Sequence, residues 1–191
     1  MRPRREWRGV FGLLLVLLLF GSPARLAAAP IETCFSPGGG AEKALVKLLD
    51  QARESLDIAV YTFTNRKLAA AVLRAHKRGV KIRLILDGND ESDYSKGFYL
   101  RQRGVAVRYA RGLAKPSHKK HKKRFYQKRR YGLMHHKFAV VDGKWVATGS
   151  FNWTASAQNW NYENLLIIKS STLARKFSAE FDRIWEKTFA K

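Results

Sequence analysis

Two apolar segments with a helical segment between them constrain the fold of this chain more than any other feature. LDIAVYTFT, which begins at Leu56, and VKIRLILD, which begins at Val80, are rich in the β-branched and aromatic residues typical of strands. Between them, Thr64 or Asn65 can cap a helix, and Gly79 stands where a helix C′ residue is expected. This β-α-β unit predicts two parallel strands joined by a right-handed crossover.

The segments on either side of this unit extend the same pattern. NLLIIK is apolar on both faces and is therefore expected to be a central strand, whereas the last segment, from Ser171, has the stripe of an amphipathic helix. The other predicted elements are strands at IETCFS, VAVRYA, HKFAVV and KWVATG and helices at AEKALVKLLDQARESL and YSKGFYLRQRG. The predicted fold class is α/β, with a mixed β-sheet flanked by helices.

The first 29 residues have the pattern of a secretory signal. MRPRREWR is basic, and the apolar run GVFGLLLVLLLFG, of about a dozen residues, is shorter than the roughly 20 that a full membrane span needs. Ala27 and Ala29 fit an A-x-A cleavage pattern, but Pro30 is a poor residue to follow the cut. We therefore expect a signal peptide or an uncleaved N-terminal anchor at 1–29 and one folded domain at 30–191. The protein is then exported and is periplasmic, secreted or anchored at its N-terminus.

The charge of the chain limits the partners that it can bind. Its net charge is +22, and residues 1–29 contain five arginines and one glutamate, so the remainder keeps +18. No acidic residue occurs from Tyr94 to Val141. A field of this sign favours a polyanionic partner, either nucleic acid or an anionic membrane surface. Cys34 is the only cysteine, which excludes an intramolecular disulfide.

A long basic stretch, 111–131, interrupts the alternation of strands and helices, and we expect it to be a loop. Two interpretations remain open: a solvated run of charge, or a clamp on substrate phosphates in which Phe125, Tyr126 or Tyr131 stacks on exposed bases. The candidate substrate-binding residues in this loop are Lys119, Lys120, Lys122, Lys123, Arg124, Arg129 and Arg130.

The segment MHHKFAVVDG combines a turn signal with two histidines. Asp142-Gly143 between two β segments predicts a hairpin, because a type I′ turn needs positive φ at both positions. Strand side chains alternate between faces, so His135 and Lys137 share one face. His136 and Phe138 share the other, which the apolar residues mark as buried.

The hairpin also predicts which side chains meet. A two-residue turn places Thr148 opposite Lys137 and Ser150 opposite His135, with Asn152 just beyond, where a helix is expected to start. Amine, amide and hydroxyl groups donate to phosphoryl oxygens, and imidazole acts as a nucleophile or an acid–base group near neutral pH. The sequence has no carboxylate cluster or Cys/His array suited to a metal. It therefore predicts phosphoryl chemistry without a metal ion or other cofactor.

At these residues the sequence resembles the phospholipase D superfamily. HHKFAVVD is similar to its H-x-K-x4-D motif through His135, Lys137 and Asp142, GSFNW to its G-S-x-N segment, and NYEN to a later acidic position through Glu163. The order and spacing resemble the small, single-motif bacterial nucleases and the mitochondrial single-motif member of that superfamily, roughly from residue 32 to the end. The resemblance implies the phospholipase D/nuclease-like fold with one motif per chain.

The resemblance also implies roles for the site residues. Chains with one motif pair as homodimers that share one active site. One His135 attacks phosphorus and forms a phosphohistidine, while His135 of the partner subunit protonates the leaving oxygen and then activates water. Lys137 and Asn152 hold the non-bridging oxygens with help from Ser150, and Glu163 orients an imidazole.

Asp142 differs from the other motif residues, since the turn already explains it and strand alternation places it off the face of His135. We expect its role to be structural. The predicted function is an exported, metal-independent phosphodiesterase that acts on DNA or RNA. A phospholipase D-type hydrolase of anionic phospholipids and a non-catalytic nucleic-acid-binding protein are the alternatives.

Overall fold

The structure, a computed structural model, describes residues 30–90, 94–114 and 131–189. The predicted signal segment 1–29 and the candidate substrate-binding residues from Lys119 to Arg130 lie outside these ranges. In chain order the described elements are β1 (Ile31–Ser36), α1 (Ala41–Gln51), β2 (Ser55–Val60), α2 (Arg66–Lys77), β3 (Lys81–Asp87), α3 (Lys96–Arg101), β4 (Ala106–Ala114), β5 (Tyr131–Leu133), β6 (Lys137–Val141), β7 (Trp145–Gly149), α4 (Ala155–Asn159), β8 (Glu163–Lys169) and α5 (Ser171–Trp185). No helix in these ranges is long and apolar enough to cross a membrane.

The strands of the described residues form one mixed sheet in the order β1-β8-β7-β6-β2-β3-β4-β5. Strands β2, β3 and β4 are parallel, whereas β6 pairs antiparallel with both β2 and β7. The predicted β-α-β unit is therefore confirmed. The side chain of Asn65 accepts the backbone N–H groups of Lys67 and Leu68 at the start of α2, and Gly79 follows α2 with φ of 85°.

Helices cover both faces of the sheet, as the predicted α/β class requires. On one face α1 and α2 bury residues such as Leu45, Leu68 and Val72 against the strands. On the other face α5 packs Phe181, which is fully buried, beside Phe138. The sheet is thus held between two apolar layers.

The hairpin after β6 has the predicted backbone but not the predicted register. Asp142 and Gly143 have φ of 53° and 59°, as a type I′ turn requires. However, Val141 pairs with Trp145, so the turn contains Lys144 as a third residue, and Thr148 lies opposite Phe138 instead of Lys137. The carbonyl oxygen of Lys144 accepts the N–H of Ser170, so the ladder resumes only at Trp145.

The basic stretch 111–131 is strand at both ends, which corrects its prediction as a loop throughout. Strand β4 continues to Ala114, and β5 begins at Tyr131 and pairs with it as a two-stranded ribbon. The two strands approach closely at Gly112 and Gly132, where a Cβ on Gly112 would lie 2.8 Å from the carbonyl carbon of Gly132. Basic and glycine residues conceal this strand pairing in the sequence, because neither type favours strands on its own.

The Asp142 carboxylate connects the hairpin to the start of β2. It accepts the backbone N–H groups of Arg53, Glu54 and Ser55 at 2.8–3.2 Å. We expect Asp142→Gly, which removes these bonds without placing a Cβ at positive φ, to lower the free energy of unfolding by about 1–3 kcal/mol. Urea denaturation measures this change. The control Lys144→Ala, at an exposed neighbour, should change it by less than about 0.5 kcal/mol, and equal stability of Asp142→Gly and wild type would contradict the anchoring role.

Candidate active site

The candidate catalytic residues come together at one edge of the sheet. His135 lies two residues before β6, Lys137 begins β6, Ser150 follows β7 and Glu163 begins β8. Because β6, β7 and β8 are antiparallel neighbours, the start of β6, the end of β7 and the start of β8 meet at the same edge. This edge is also where the parallel strands β2 and β3 end, which is the usual place for a site in an open α/β sheet.

His135 is held between an ammonium group and an aromatic ring. The Nζ of Lys137 lies 3.1 Å from Nδ1 of His135 and donates to the carbonyl oxygen of His135 at 2.7 Å. On another side, the Tyr61 ring is tilted against the imidazole, with 4.6 Å between ring centroids. The same Tyr61 ring lies 5.1 Å from the Lys137 Nζ. The imidazole itself stays exposed, so a substrate can reach it.

Glu163 and Ser150 form a second group at this edge. The Ser150 hydroxyl donates to one carboxylate oxygen of Glu163 at 2.5 Å, and the Asn161 side chain donates to the other at 3.1 Å. Within the described part of one chain, no hydrogen bond joins Glu163 to His135, so the predicted orientation of an imidazole by Glu163 stays a prediction. The hydroxyl proton of Ser150 points to Glu163, and Ser150 can therefore support that carboxylate.

Asn152 brings an unsatisfied polar atom into the site. Its Oδ1 is the one buried side-chain nitrogen or oxygen without a hydrogen-bond partner in the part of the chain that the structure describes. The backbone leading to it is bent, since the N–H groups of Ser150 and Phe151 both donate to the carbonyl oxygen of Asn164. Gly149 permits this bend, because a Cβ there would collide with the same carbonyl oxygen. A buried amide oxygen without a partner can accept a hydrogen bond from a ligand.

His136 is separated from the site, as strand alternation predicts. Its ring packs edge-on against Phe138, with 5.3 Å between centroids, and its Nε2 lies 3.3 Å from a carboxylate oxygen of Glu180 in α5. The side chain is 46% exposed, so its expected membership of the buried packing set is wrong. The imidazole reaches past the apolar layer to a carboxylate at the surface.

A groove of about 410 Å³ opens beside His135, between the β4–β5 ribbon and the end of α5. Its apolar residues include Leu133, Met134 and Ile184, and its basic residues are Arg111, Arg183 and Lys187. Glu180 offsets one of these charges, because it accepts two hydrogen bonds from Arg183 at 2.6 and 2.7 Å. The groove thus offers apolar surface and net positive charge to a ligand that reaches His135.

Tyr61 and Asp87 belong to this site but were not selected from the sequence. Both stand at the carboxyl ends of parallel strands, which is the signal that could have indicated them. The structure also assigns Asp142 to the opposite end of β6 from His135. In residues 30–90, 94–114 and 131–189, no group of three His, Cys, Asp or Glu side chains is arranged to hold a metal ion.

The surroundings of His135 favour its neutral form. Partial burial has the largest effect in lowering the pKa of His135, the ammonium of Lys137 lowers it further, and the carboxylate of Asp87 opposes both. Burial also lowers the pKa of Lys137, while Glu163 opposes that shift. A neutral imidazole near neutral pH is the form that a nucleophile needs.

We expect His135 to titrate below 6.5, the ordinary value for histidine. Lys137→Met removes the ammonium group that disfavours a protonated imidazole, so the midpoint of His135 should rise relative to wild type. NMR titration of the imidazole C–H signals, assigned with His135→Ala, measures both values. The control Lys144→Met, at the far end of β6, should leave the midpoint unchanged. A wild-type midpoint above 6.5, or no rise in Lys137→Met, would contradict this account.

Comparisons with known proteins agree with the resemblance carried by these residues. A family model described as "Cardiolipin synthase, PLD-like domain" matches residues 45–185. The chain is similar to mitochondrial cardiolipin hydrolase of Xenopus tropicalis, at 39% identity over 163 residues that cover 83% of this chain and 69% of the relative. It is also similar to a phospholipase D of Rickettsia prowazekii, at 30% identity over 168 residues that cover 87% and 73% of the two chains.

Solved structures show the same fold. The phospholipase D family member Nuc from Salmonella typhimurium matches with a TM-score of 0.70 and 25% identity, over 84% of this chain and 97% of Nuc. NucT from Helicobacter pylori matches with a TM-score of 0.69 and 28% identity, over 85% of this chain and 100% of NucT. The family match includes His135, Lys137 and Glu163. The chain therefore belongs to the phospholipase D superfamily and is one of its phosphodiester hydrolases.

Proposed function

We propose that this chain is a metal-independent endonuclease that hydrolyses DNA or RNA through a phosphohistidine intermediate. The observation that carries the proposal is the exposed His135 imidazole, with the Lys137 Nζ 3.1 Å from its Nδ1 at the sheet edge where β7 ends, three residues before Asn152. An imidazole supplies the nucleophile, and the ammonium N–H groups of Lys137 and the amide N–H₂ of Asn152 suit the non-bridging oxygens of a phosphodiester. The residues therefore provide both parts of a phosphoryl transfer.

The proposed reaction has two displacements at phosphorus. In the first, a ring nitrogen of His135 attacks phosphorus, the bond from phosphorus to the leaving oxygen breaks, and His135 of the partner subunit gives that oxygen a proton. In the second, the same imidazole of the partner subunit takes a proton from water, the water oxygen attacks phosphorus, and the phosphorus–nitrogen bond breaks. The products are a phosphomonoester and a free hydroxyl group.

The need for two imidazoles supports a homodimer with a shared site. Within the described residues of one chain, the other histidines are His76, in the last turn of α2, and His136, on the opposite face of β6. Neither lies beside His135 on its face of the sheet. A second copy of the chain is therefore the proposed source of the general acid, with the two sites facing each other.

Charge and exposed aromatic residues support nucleic acid as the substrate. The chain without residues 1–29 carries +18 of the total of +22, which suits a polyphosphate backbone. Trp160 and Tyr162 are 79% and 95% exposed and flank Asn161, which binds Glu163. Exposed rings next to a reactive centre can stack on unpaired bases. The proposal includes export, which the basic and apolar segments at 1–29 support.

Hydrolysis of an anionic phospholipid is the second candidate function. It is favoured by the 39% identity to a protein named cardiolipin hydrolase and by the apolar residues in the groove beside His135. A basic surface also binds anionic membranes. Parallel assays of the purified protein on single-stranded DNA, on RNA and on cardiolipin vesicles distinguish the two functions. Turnover of cardiolipin alone would replace the nuclease proposal.

We expect purified protein to cleave nucleic acid in the presence of EDTA, because neither proposed displacement needs a divalent ion. His135→Ala should lower the cleavage rate by about 10³-fold or more, since it removes the nucleophile. The matched control is His136→Ala, which removes the adjacent imidazole on the opposite face and should change the rate by less than about tenfold. Loss of cleavage in EDTA, or equal effects of the two variants, would contradict the mechanism.

A mixed dimer tests whether the site is shared. Wild-type and His135→Ala chains that carry different affinity tags are expressed together, and dimers with one chain of each kind are purified through both tags. We expect these dimers to have no more than a few per cent of wild-type activity, because one imidazole cannot serve as both nucleophile and general acid. Half of the wild-type activity, or a purified protein that is monomeric and active, would exclude the shared site.

A further inference from the structure

Asp87 is a buried carboxylate beside the candidate active site. It is the last residue of β3 and is 0% exposed. Within the described ranges, no lysine, arginine or histidine side chain pairs with it at 4.0 Å or less. Burying a carboxylate without a cationic partner is costly, so its surroundings must compensate with hydrogen bonds. One of those hydrogen bonds comes from the backbone next to His135.

The carboxylate binds the backbone just before His135. One oxygen accepts the N–H of Met134 at 2.7 Å, and the other accepts the backbone N–H of Asn89 at 2.9 Å and its side-chain amide at 2.7 Å. All three donors are N–H groups, which suits an ionised carboxylate because it offers only acceptors. Asp87 therefore binds the backbone one residue before His135, the proposed nucleophile.

The segment that carries His135 lies outside the hydrogen-bonded ladders of the sheet. Residues 134–136 lie between β5 and β6 and belong to no strand. On the far side of His135, the carbonyl oxygen of His136 accepts the N–H of Tyr61 at 2.9 Å. The bond from Met134 to Asp87 and the bond from Tyr61 to His136 thus hold the backbone on the two sides of His135. Loss of the first would remove the hydrogen bond that holds the backbone on the N-terminal side of His135.

We propose that Asp87 is a positioning residue for the phosphoryl transfer: it anchors the backbone before His135, and its charge stabilises the positively charged imidazole. The catalytic part of this proposal rests on the proposed function. The hydrogen bond to Met134 and the effect of the Asp87 charge on the His135 imidazole do not rest on it, because both can be measured without a substrate.

Several charged or titratable groups face His135, and Asp87 differs from the others in its effect. Burial, Lys137 and His136 lower the pKa of His135, and among the groups with a resolved effect in the described residues the carboxylate of Asp87 is the one that raises it. Tyr61 contacts the ring from the end of β2. The remaining charged groups around the adjoining groove are Arg111 from β4, Glu180 and Arg183 from α5, and Lys187 after α5.

The chemistry explains why a negative charge is useful here. His135 becomes positively charged when it carries the phosphoryl group, and the imidazole of the partner subunit must carry a proton before it can act as an acid. A carboxylate fixed in a buried position favours both states, and it needs no reorganisation during the reaction. Lys137 is proposed to bind the phosphate, but its positive charge disfavours a positively charged imidazole. The negative charge of Asp87 offsets part of this unfavourable effect.

The test compares Asp87→Asn with wild type in the full chain. NMR titration of the His135 imidazole, assigned with His135→Ala, should show a lower midpoint in Asp87→Asn, because the negative charge is lost. On whichever substrate the wild type turns over, kcat should fall about tenfold or more, with KM changed by less than about threefold.

The matched control is Asp57→Asn. Asp57 lies in β2 and makes a two-point ion pair with Arg83 at 2.7 and 2.8 Å, so its loss also weakens the sheet. It should lower stability and leave the His135 midpoint where it is in wild type. An equal midpoint in folded Asp87→Asn and wild type would overturn the proposal, and so would an equal shift in both variants.

A measurement on the wild type covers the case in which Asp87→Asn does not fold. The Met134 amide proton should resonate at low field and exchange slowly with solvent, because it donates to a buried carboxylate. Rapid exchange of this proton would overturn the anchor. Both NMR experiments are independent of the proposed function, which fails separately if wild type hydrolyses neither nucleic acid nor cardiolipin.

Discussion

The pairing of β6 between β2 and β7 brings His135 and Lys137 to the sheet edge where β7 ends and β8 begins. β6 is antiparallel to both neighbours, so its first residue, Lys137, is level with Val60 at the end of β2 and with the end of β7. His135 lies two residues before Lys137, beyond the end of the strand, and its ring packs against the ring of Tyr61. Asp142, at the other end of the same strand, binds the loop that begins β2. One strand thus separates the two ends of the motif into a proposed reactive end, with His135 and Lys137, and a structural end, with Asp142.

The reactive end combines charges of both signs around one imidazole. Lys137 is close enough to bind a phosphate oxygen together with His135, but its charge also disfavours the protonated imidazole. Glu163 and Asp87 provide negative charge on different sides, Glu163 acting on Lys137 and Asp87 on His135. An arrangement of this kind keeps the ammonium group available for an anionic substrate without making the imidazole difficult to charge during the reaction.

The proteins similar to this chain have different names, among them cardiolipin hydrolase, phospholipase D and Nuc. Membership of the superfamily supports hydrolysis of a phosphodiester, and in the proposed reaction the attacking imidazole and the oxygen-binding groups contact only the phosphate. Selection between a polynucleotide and a phospholipid must therefore come from surfaces around the phosphate. In the described residues these are the groove with Leu133, Met134 and Ile184 and the exposed rings of Trp160 and Tyr162.

Local patterns in the amino-acid sequence were sufficient to predict the α/β class, the β-α-β unit, a helix cap at Thr64 or Asn65 and the turn at Asp142-Gly143, because each depends on neighbours in the chain. The one-residue error in register came from Lys144, whose carbonyl oxygen bonds to Ser170. The ribbon of β4 and β5 also escaped prediction, since its pairing joins Ala114 to Tyr131 across the basic segment.

Tyr61 and Asp87 show the same limit within the site, because only the packing of three separate strands brings them to His135. The kind of chemistry can be read from the residues that carry it. Their geometry depends on hydrogen bonds between distant segments, which leave no local trace in the chain.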